Sequence, residues 1–298
     1  MRFATISRQG RSVLAAYHGD ELIDLSVAAP GLPASLQELL AAGPSLYPQV
    51  TRALAHAPAE ARLDPATAVF LPPVPMPGKI ICLGLNFLDH ADESPYPGKP
   101  AYPVIFSRFA SSLVGHGQAL LRPLASEQFD YEGEMAVIIG KAGRHISAGR
   151  ALDHVAGYSI FNDASVRDFQ FKSHQWTIGK NFDGSGGFGP AFVTADELPA
   201  GGTGLRVQTR LNGQILQDAN TTDMVFDVAE TIALLSECLA LLPGDVLVMG
   251  TPAGIGLARK PPLYMKDGDV CEVEIEGLGV LRNPVKNEVA AAMPLAVA

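Results

Sequence analysis

Two glutamates stand two residues apart in the stretch "FDYEGEMAVIIG" (residues 129–140), directly before an apolar run. Side chains at positions i and i+2 of a strand point to the same side, so Glu132 and Glu134 would lie close together. Two neighbouring carboxylates repel each other unless water or a cation lies between them. The spacing alone leaves both alternatives open.

A hard divalent cation such as Mg²⁺ or Mn²⁺ would need further oxygen ligands beside this pair. Asp163 in "YSIFNDASVRDFQ" is the candidate, because it ends an apolar strand where the chain turns. An aspartate that leads into a turn is also a common structural feature. Its pattern therefore fits a metal ligand and a turn residue alike.

His90 and Glu93 in "GLNFLDHADES" are three residues apart, just after a predicted buried strand. On a helical turn this spacing places the two side chains side by side, so the carboxylate could orient the imidazole as a general base. The alternative is a surface turn with a hydrogen-bonded histidine.

Two further stretches could bind an anionic group. Lys180 in "WTIGKNFDG" offers an ammonium group, and the turn "VMGTPAGIG" offers the backbone N–H of Gly250 and the hydroxyl of Thr251. A solvated lysine and a plain Gly-Pro turn would produce the same patterns.

The stretch "DGSGGFGP" contains a formal G-x-G-x-x-G pattern, in Gly184, Gly186 and Gly189. A dinucleotide-binding loop follows a strand and opens a helix, whereas Pro190 follows here at once. We therefore interpret this stretch as a flexible loop rather than a nucleotide site.

The elements that must position these residues are mostly strands. Residues 1–73 combine short alternating strands with a helical pattern over residues 35–57 and lead into the Pro-rich segment "LPPVPMPGK". They predict a small N-terminal α+β domain. Residues 74–298 are rich in strands with few helices, which predicts an α+β, mainly β catalytic domain with a mixed, largely antiparallel sandwich or barrel.

The composition indicates a globular protein that acts on small molecules. The 298-residue chain has a net charge of −9 and no run of lysine or arginine, so a nucleic-acid or anionic-membrane partner is not expected. Charges interrupt the N-terminal segment, and we expect a cytoplasmic protein. Three widely spaced cysteines, Cys82, Cys238 and Cys271, are predicted to be buried free thiols.

Six stretches over residues 78–285 together resemble the fumarylacetoacetate hydrolase family, and they occur in the family's order. They are "GLNFLDHADE", "PVIFSRFASSLVGHG", "DYEGEMAVIIGK", "GYSIFNDASVRDFQ", "GKNFDGSGGFGP" and "PGDVLVMGTPAGIG". The resemblance implies a mixed β-sandwich or roll, one Mg²⁺ or Mn²⁺ per subunit, and a homodimer.

The resemblance also implies a role for each candidate residue. The implied metal ligands are Glu132, Glu134 and Asp163, the catalytic residues are His90, Glu93 and Lys180, and the substrate contacts are Arg108, Gln170, Gly250 and Thr251. Arg108 stands where the family pattern leads us to expect a lysine. Residues 90–103, with four prolines, are expected to form a lid over the substrate.

The implied chemistry is metal-assisted cleavage of an anionic small molecule. Hydrolysis of a C–C bond in an acylpyruvate or related 1,3-diketo acid is our first expectation, with His90 activating water. Decarboxylation or isomerisation of an oxaloacetate-like 2-oxo acid is the alternative. A non-catalytic ligand-binding member is a third possibility, although none of the implied catalytic residues is missing.

Overall fold

A computed structural model describes residues 1–93, 98 and 100–290 of the chain, and within them strands dominate. The largest sheet has twelve strands. They are β1 (Arg2–Arg8), β2 (Arg11–His18), β3 (Glu21–Asp24), β4 (Arg62–Leu63), β5 (Val69–Leu71), β6 (Ile80–Gly84), β7 (Val104–Ser107), β8 (Leu113–Val114), β11 (Gly133–Ile139), β12 (Val155–Asn162), β14 (Gly186–Thr194) and β17 (Val246–Val248).

A second sheet has five strands, and one further pair of strands stands apart. The five strands are β9 (Leu120–Arg122), β15 (Arg206–Leu211), β16 (Gln214–Asn220), β18 (Val270–Ile275) and β19 (Gly279–Asn287), and the pair is β10 (Phe129–Asp130) with β13 (Ser165–Val166). Most neighbouring strands are antiparallel, while β8 on β14, β6 on β17 and β9 on β19 are parallel. The predicted mixed, mainly antiparallel α+β fold is confirmed.

The helices are short and lie between strands. They are α1 (Leu25–Ala28), α2 (Leu36–Ala42), α3 (Tyr47–Ala55), α4 (Leu88–Glu93), α5 (Ala148–Ala151), α6 (Arg167–Gln170), α7 (Thr177–Lys180) and α8 (Val228–Cys238). The helical pattern predicted over residues 35–57 is divided at Gly43, whose φ of 85° ends α2. Asp227 and Glu230 form a capping box that fixes the start of α8.

The central strand β11 is buried on both faces, which explains its unbroken apolar sequence. Ala136 and Ile138 face one hydrophobic core, and Val137 and Ile139 face the other. Because side chains alternate along a strand, Glu134 lies on the same side as Ala136. The carboxylate of Glu134 therefore projects from a strand that is packed on both faces.

The N-terminal segment continues the large sheet. Strand β1 pairs with β14, and Phe3 and Leu14 share a core with Ile80 and Val246 of the strand-rich part. Residues 1–73 therefore share their sheet and core with the remainder of the chain. The division into residues 1–73 and 74–298 stays a prediction.

Two local predictions are wrong. The glycine stretch is not a loop beyond Gly186, because β14 begins there, and a Cβ at Gly186 would lie 2.8 Å from Nη2 of Arg108. Glycine is thus needed where the strand passes close to a buried guanidinium. Cys238 is exposed at the end of α8, whereas Cys82 and Cys271 are buried as predicted.

Candidate metal centre and active site

Three carboxylates meet where β11 begins and β12 ends. Glu132 precedes β11, Glu134 belongs to it, and Asp163 follows β12. The pairing of Gly133 with Asn162 brings these strand ends side by side. Each carboxylate contributes an oxygen to a group whose members all lie within 4.8 Å of one another.

This group fits a divalent cation. The three residues are at most 3% exposed, and carboxylate oxygens are the ligands that Mg²⁺ and Mn²⁺ prefer. Three protein oxygens also leave coordination positions for substrate oxygens or water. The structure thus brings Glu132, Glu134 and Asp163 together as the resemblance implies, and the donor set suits both ions.

Lys180 and Arg167 are buried cations that contact the same carboxylates. Lys180 Nζ lies 2.5 Å from Oε2 of Glu132 and 2.6 Å from Oδ2 of Asp163. Arg167 Nη1 lies 2.7 Å from Oε1 of Glu132. Glu134 differs, because its Oε2 accepts a hydrogen bond of 2.6 Å from the backbone N–H of Gly250.

The surroundings of the two glutamates shift their pKa values in opposite directions. Burial alone would raise the pKa of Glu132, but the charges of Lys180 and Arg167 outweigh it and lower that pKa to about 2. Burial, followed by the charges of Asp163 and Glu132, raises the pKa of Glu134 well above its usual value. A divalent cation would favour the ionised form of Glu134, so this carboxylate gains most from a metal.

Lys180 is held in its charged form. Burial alone would lower its pKa, but the charges of Asp163 and Glu132 raise it. The ammonium therefore stays a hydrogen-bond donor inside the site at neutral pH.

Arg108 lies behind Asp163 and is not among the side chains that line the cavity. Its Nη1 donates to Oδ1 of Asp163 at 2.5 Å, and its Nη2 donates to Oγ of Ser185 at 2.7 Å. Its Nε donates to Oγ of Ser112 at 3.2 Å. The placement favours orientation of Asp163, and it does not support the substrate contact implied for Arg108.

His90 and Glu93 form the expected pair on α4. Nδ1 of His90 lies 3.1 Å from Oε1 of Glu93. Glu93 is itself held by the backbone N–H of Gly254, 3.1 Å from each carboxylate oxygen, and by that of Ile255 at 3.4 Å. The carboxylate thus fixes the orientation of the imidazole and anchors the loop after β17.

The turn after β17 supports the carboxylates more than it offers a free anion site. The N–H of Gly250 is already used by Glu134, so it serves a metal ligand instead of the expected substrate anion. The hydroxyl of Thr251 donates to the carbonyl oxygen of Gly133 at 3.1 Å and accepts from Nε2 of Gln217 at 2.8 Å. Thr251 lines the cavity, whereas Gly250 is not among its lining residues.

The sequence analysis did not single out Arg167, which is 2% exposed and lines the cavity. Its Nε donates to Oδ2 of Asp130 at 2.8 Å and its Nη1 to Oε1 of Gln170 at 2.9 Å. Its Nη2 is buried without a hydrogen-bond partner among the described residues. The signal was an arginine three residues before Gln170, a spacing that places both on one side of a helical turn.

These groups surround one cavity with an empty volume of about 570 Å³, its open mouth included. His90, Glu93, Gln170, Lys180 and Thr251 line it together with the three carboxylates, and an apolar wall of Leu85, Phe106, Phe171 and Trp176 completes it. The predicted lid, residues 90–103, includes positions 94–97 and 99, which lie outside the described residues.

Comparison with known proteins identifies the family of the chain. Residues 79–286 match the family model described as the C-terminal part of fumarylacetoacetate hydrolase. The chain therefore belongs to the fumarylacetoacetate hydrolase family, and it is an enzyme of that family.

Individual relatives carry different reaction names. Oxaloacetate tautomerase Fahd2a, a mitochondrial protein of Rattus norvegicus, is 43% identical over 269 residues, which are 90% of this chain and 84% of that protein. The structure of a fumarylacetoacetate hydrolase from Exiguobacterium antarcticum is 36% identical, with a TM-score of 0.83 over 97% of this chain and 100% of that one. Maleylpyruvate hydrolase from Sphingobium is 28% identical, with a TM-score of 0.80 over the same shares.

A helix that crosses a membrane must be both long and apolar. Among the described residues, no helix is both long enough and apolar enough to cross a membrane.

Proposed function

We propose that this enzyme interconverts the enol and keto forms of oxaloacetate or a closely similar 2-oxo dicarboxylic acid. The observation that carries the proposal is one small cavity that combines a metal-type carboxylate cluster, buried cations and an oriented histidine. The 43% identity to an oxaloacetate tautomerase over most of both chains supports it.

Glu132, Glu134 and Asp163 would hold the Mg²⁺ or Mn²⁺ ion. When bound, such an ion supplies Lewis-acid stabilisation of the negative charge that develops on substrate oxygens. Lys180 and the Nη2 of Arg167, which has no hydrogen-bond partner in the described part of the chain, would provide cationic donors for a dianionic acid.

The proton transfer falls to His90. Since its Nδ1 contacts Glu93, the other ring nitrogen is left to exchange a proton with the carbon next to the substrate's 2-oxo group. One proton leaves the enol oxygen and one arrives at this carbon, so the reaction consumes no water. A small cavity with a single oriented base is sufficient for this chemistry.

An ultraviolet assay of enol-oxaloacetate tests this proposal. With Mg²⁺ or Mn²⁺, the enzyme should accelerate ketonisation, and a chelator should remove the acceleration. His90→Ala should lower kcat by about 10²–10⁴-fold, the usual contribution of general acid–base catalysis. His56→Ala is the matched control, because His56 is exposed and bonded to its own helix. Ketonisation at the spontaneous rate with metal present would refute the proposal.

Hydrolysis of an acylpyruvate C–C bond is the second candidate. The anchoring of Glu93 by two backbone N–H groups favours it, because a rigid His90–Glu93 pair is what activation of water requires. The hydrolase names of two structural relatives also support it. Release of acetate from acetylpyruvate, lost in His90→Ala, would favour this candidate, and its absence would favour the tautomerase.

Decarboxylation of oxaloacetate, the other reaction expected for this site, is separable in the same samples. Release of CO₂ at the rate of ketonisation would show decarboxylation, whereas ketonisation alone would show tautomerisation. A homodimer stays a prediction, which the molar mass in solution would test. A cytoplasmic location also stays a prediction, and the rat relative is named as mitochondrial.

A further inference from the structure

A second, larger groove lies beside the cavity, and the two share a wall. The groove has an empty volume of about 1580 Å³, open solvent included, against about 570 Å³ for the cavity. Both are lined by Leu85, Phe106, Phe171 and Trp176. These four apolar side chains, the shared wall, therefore border both the carboxylate site and the groove.

Trp176 is the largest member of the shared wall, and its indole rests on bare backbone. A Cβ added to Gly84 would lie 2.3 Å from Cζ3 of Trp176, so the ring can take this place only because Gly84 has no side chain. The ring of Phe106 packs edge-on against the indole at 5.5 Å between centroids. Close packing on two sides holds the indole between the two spaces.

The segment that carries Trp176 is fixed at both ends to one carboxylate. Arg167 at its start and Lys180 at its end contact different oxygens of Glu132, at 2.7 and 2.5 Å. The turn between α6 and α7 is therefore held next to the three-carboxylate site by contacts at both of its ends. Trp176 belongs to this turn and is only partly buried.

On the groove side, the shared wall adjoins both apolar and polar residues. Val104 and Ile105 offer apolar surface, and Lys172 and His174 are polar groups of the same groove. An alkyl chain that extended from the cavity past Trp176 would meet this surface.

We propose that Trp176 limits the length of the substrate, so that the enzyme selects short 2-oxo acids of the size of oxaloacetate. The inference rests on the proposed function only for the chemical class of the ligand, a 2-oxo acid. Removal of the indole joins the cavity to the groove, and 2-oxo acids with an extended apolar chain become ligands.

Binding of N-alkyloxamates tests this without turnover. These compounds are unreactive mimics of a 2-oxo acid, and their alkyl chains can be lengthened from about one to six carbons. Calorimetry with Mn²⁺ present compares the wild type with Trp176→Ala, Trp176→Phe and Ile105→Ala. The last is the control, since Ile105 lines the groove but is not part of the shared wall.

In the wild type, affinity should fall once the chain exceeds the cavity. In Trp176→Ala it should instead rise by about fourfold for each added methylene group, the usual gain from burying apolar surface. Trp176→Phe should be intermediate, and Ile105→Ala should keep the wild-type cut-off. Unchanged binding of the shortest oxamate would show that the variants keep an intact site.

The failures are distinguishable. The same length cut-off in Trp176→Ala and the wild type overturns the role of Trp176, even if the enzyme ketonises oxaloacetate. Absence of binding of every oxamate to the wild type also overturns it. A shifted cut-off in an enzyme that does not ketonise oxaloacetate would support the role of Trp176 and refute the tautomerase proposal alone.

Discussion

The cavity and the outer surface of the five-stranded sheet both pair carboxylates with cations, but in different surroundings. In the cavity, the side chains of Lys180 and Asp163 are 2% and 0% exposed. On the sheet, those of Arg206 and Asp218 are 58% and 40% exposed. The distances are similar, 2.6 and 2.5 Å, so geometry alone does not distinguish the two regions.

The two regions differ in how far solvent reaches the ions. Water and salt screen the surface pairs, and each contributes little because the separated ions are well hydrated. In the cavity the ions have left water, so each needs a partner, and an unmatched charge is costly. Glu134 has no contacting cation among the described residues, so its ionised form would be such a charge, and this makes the cavity a place for a metal ion.

The largest effect is expected from Glu132→Gln. The change removes a buried carboxylate that contacts both Arg167 and Lys180, and each cation keeps one other carboxylate partner, so the free energy of unfolding of the metal-free protein should fall by up to roughly 3–5 kcal/mol. Urea denaturation measures it. Glu274→Gln on the sheet, which removes a carboxylate bonded to Arg210, is the matched control and should change much less. Equal losses in both variants would contradict the comparison.

Lowering the pH should also destabilise the metal-free protein through Glu132. The pKa of Glu132 is about 2 in the folded state against an ordinary value of 4.5, so its contribution is complete above pH 4.5 and declines as the pH falls towards 2. The difference amounts to on the order of 3 kcal/mol. Unfolding of the metal-free protein at a series of acidic pH values should show a steeper loss for the wild type than for Glu132→Gln. Parallel curves would speak against this linkage.

Glu134→Gln should have the opposite sign. Burial and neighbouring carboxylates raise the pKa of Glu134, so its ionised form is a cost to the metal-free fold at neutral pH. A neutral side chain of the same shape removes that cost and still accepts from Gly250, so stability should rise by on the order of 1 kcal/mol. Thermal unfolding in the presence of a chelator measures the change. A loss as large as that of Glu132→Gln would show that the two glutamates do not differ in charge balance.

The smallest effect is expected on the sheet. Arg210 contacts Glu272 and Glu274 at a partly exposed position, so Arg210→Gln should lower the free energy of unfolding by less than about 1 kcal/mol. Raising the salt concentration should reduce even this difference. A larger loss in urea denaturation that does not depend on salt would show that these surface pairs stabilise the fold as strongly as the buried ones.

The sequence predicts the parts of the site that depend on local spacing. The two-residue spacing of Glu132 and Glu134 and the three-residue spacing of His90 and Glu93 translate directly into neighbouring side chains. The position of Asp163 at a strand end made it a candidate third ligand, but the same pattern fitted a turn residue, and only the family resemblance favoured the metal role, because spacing says nothing about which strand ends meet.

Long-range contacts explain the remainder. The position of Arg108 behind Asp163 depends on a contact between segments 55 residues apart, and the pairing of β1 with β14 joins the chain start to a distant strand. The stretch that contains Gly186 was interpreted as a flexible loop, yet β14 begins at Gly186, where the buried guanidinium of Arg108 leaves little room for a side chain. Such requirements come from the packed neighbours, which local sequence does not reveal.

Binding of Mn²⁺ to Glu134→Gln, measured by calorimetry on metal-free protein, tests most directly whether the unmatched buried charge makes the metal site. The wild type should bind one Mn²⁺ per chain, and the variant should bind it at least about 100-fold more weakly, more than the loss usual for a residue outside the ligand set. The variant should at the same time be no less stable than the wild type. Unchanged Mn²⁺ affinity in a folded Glu134→Gln protein would contradict the account.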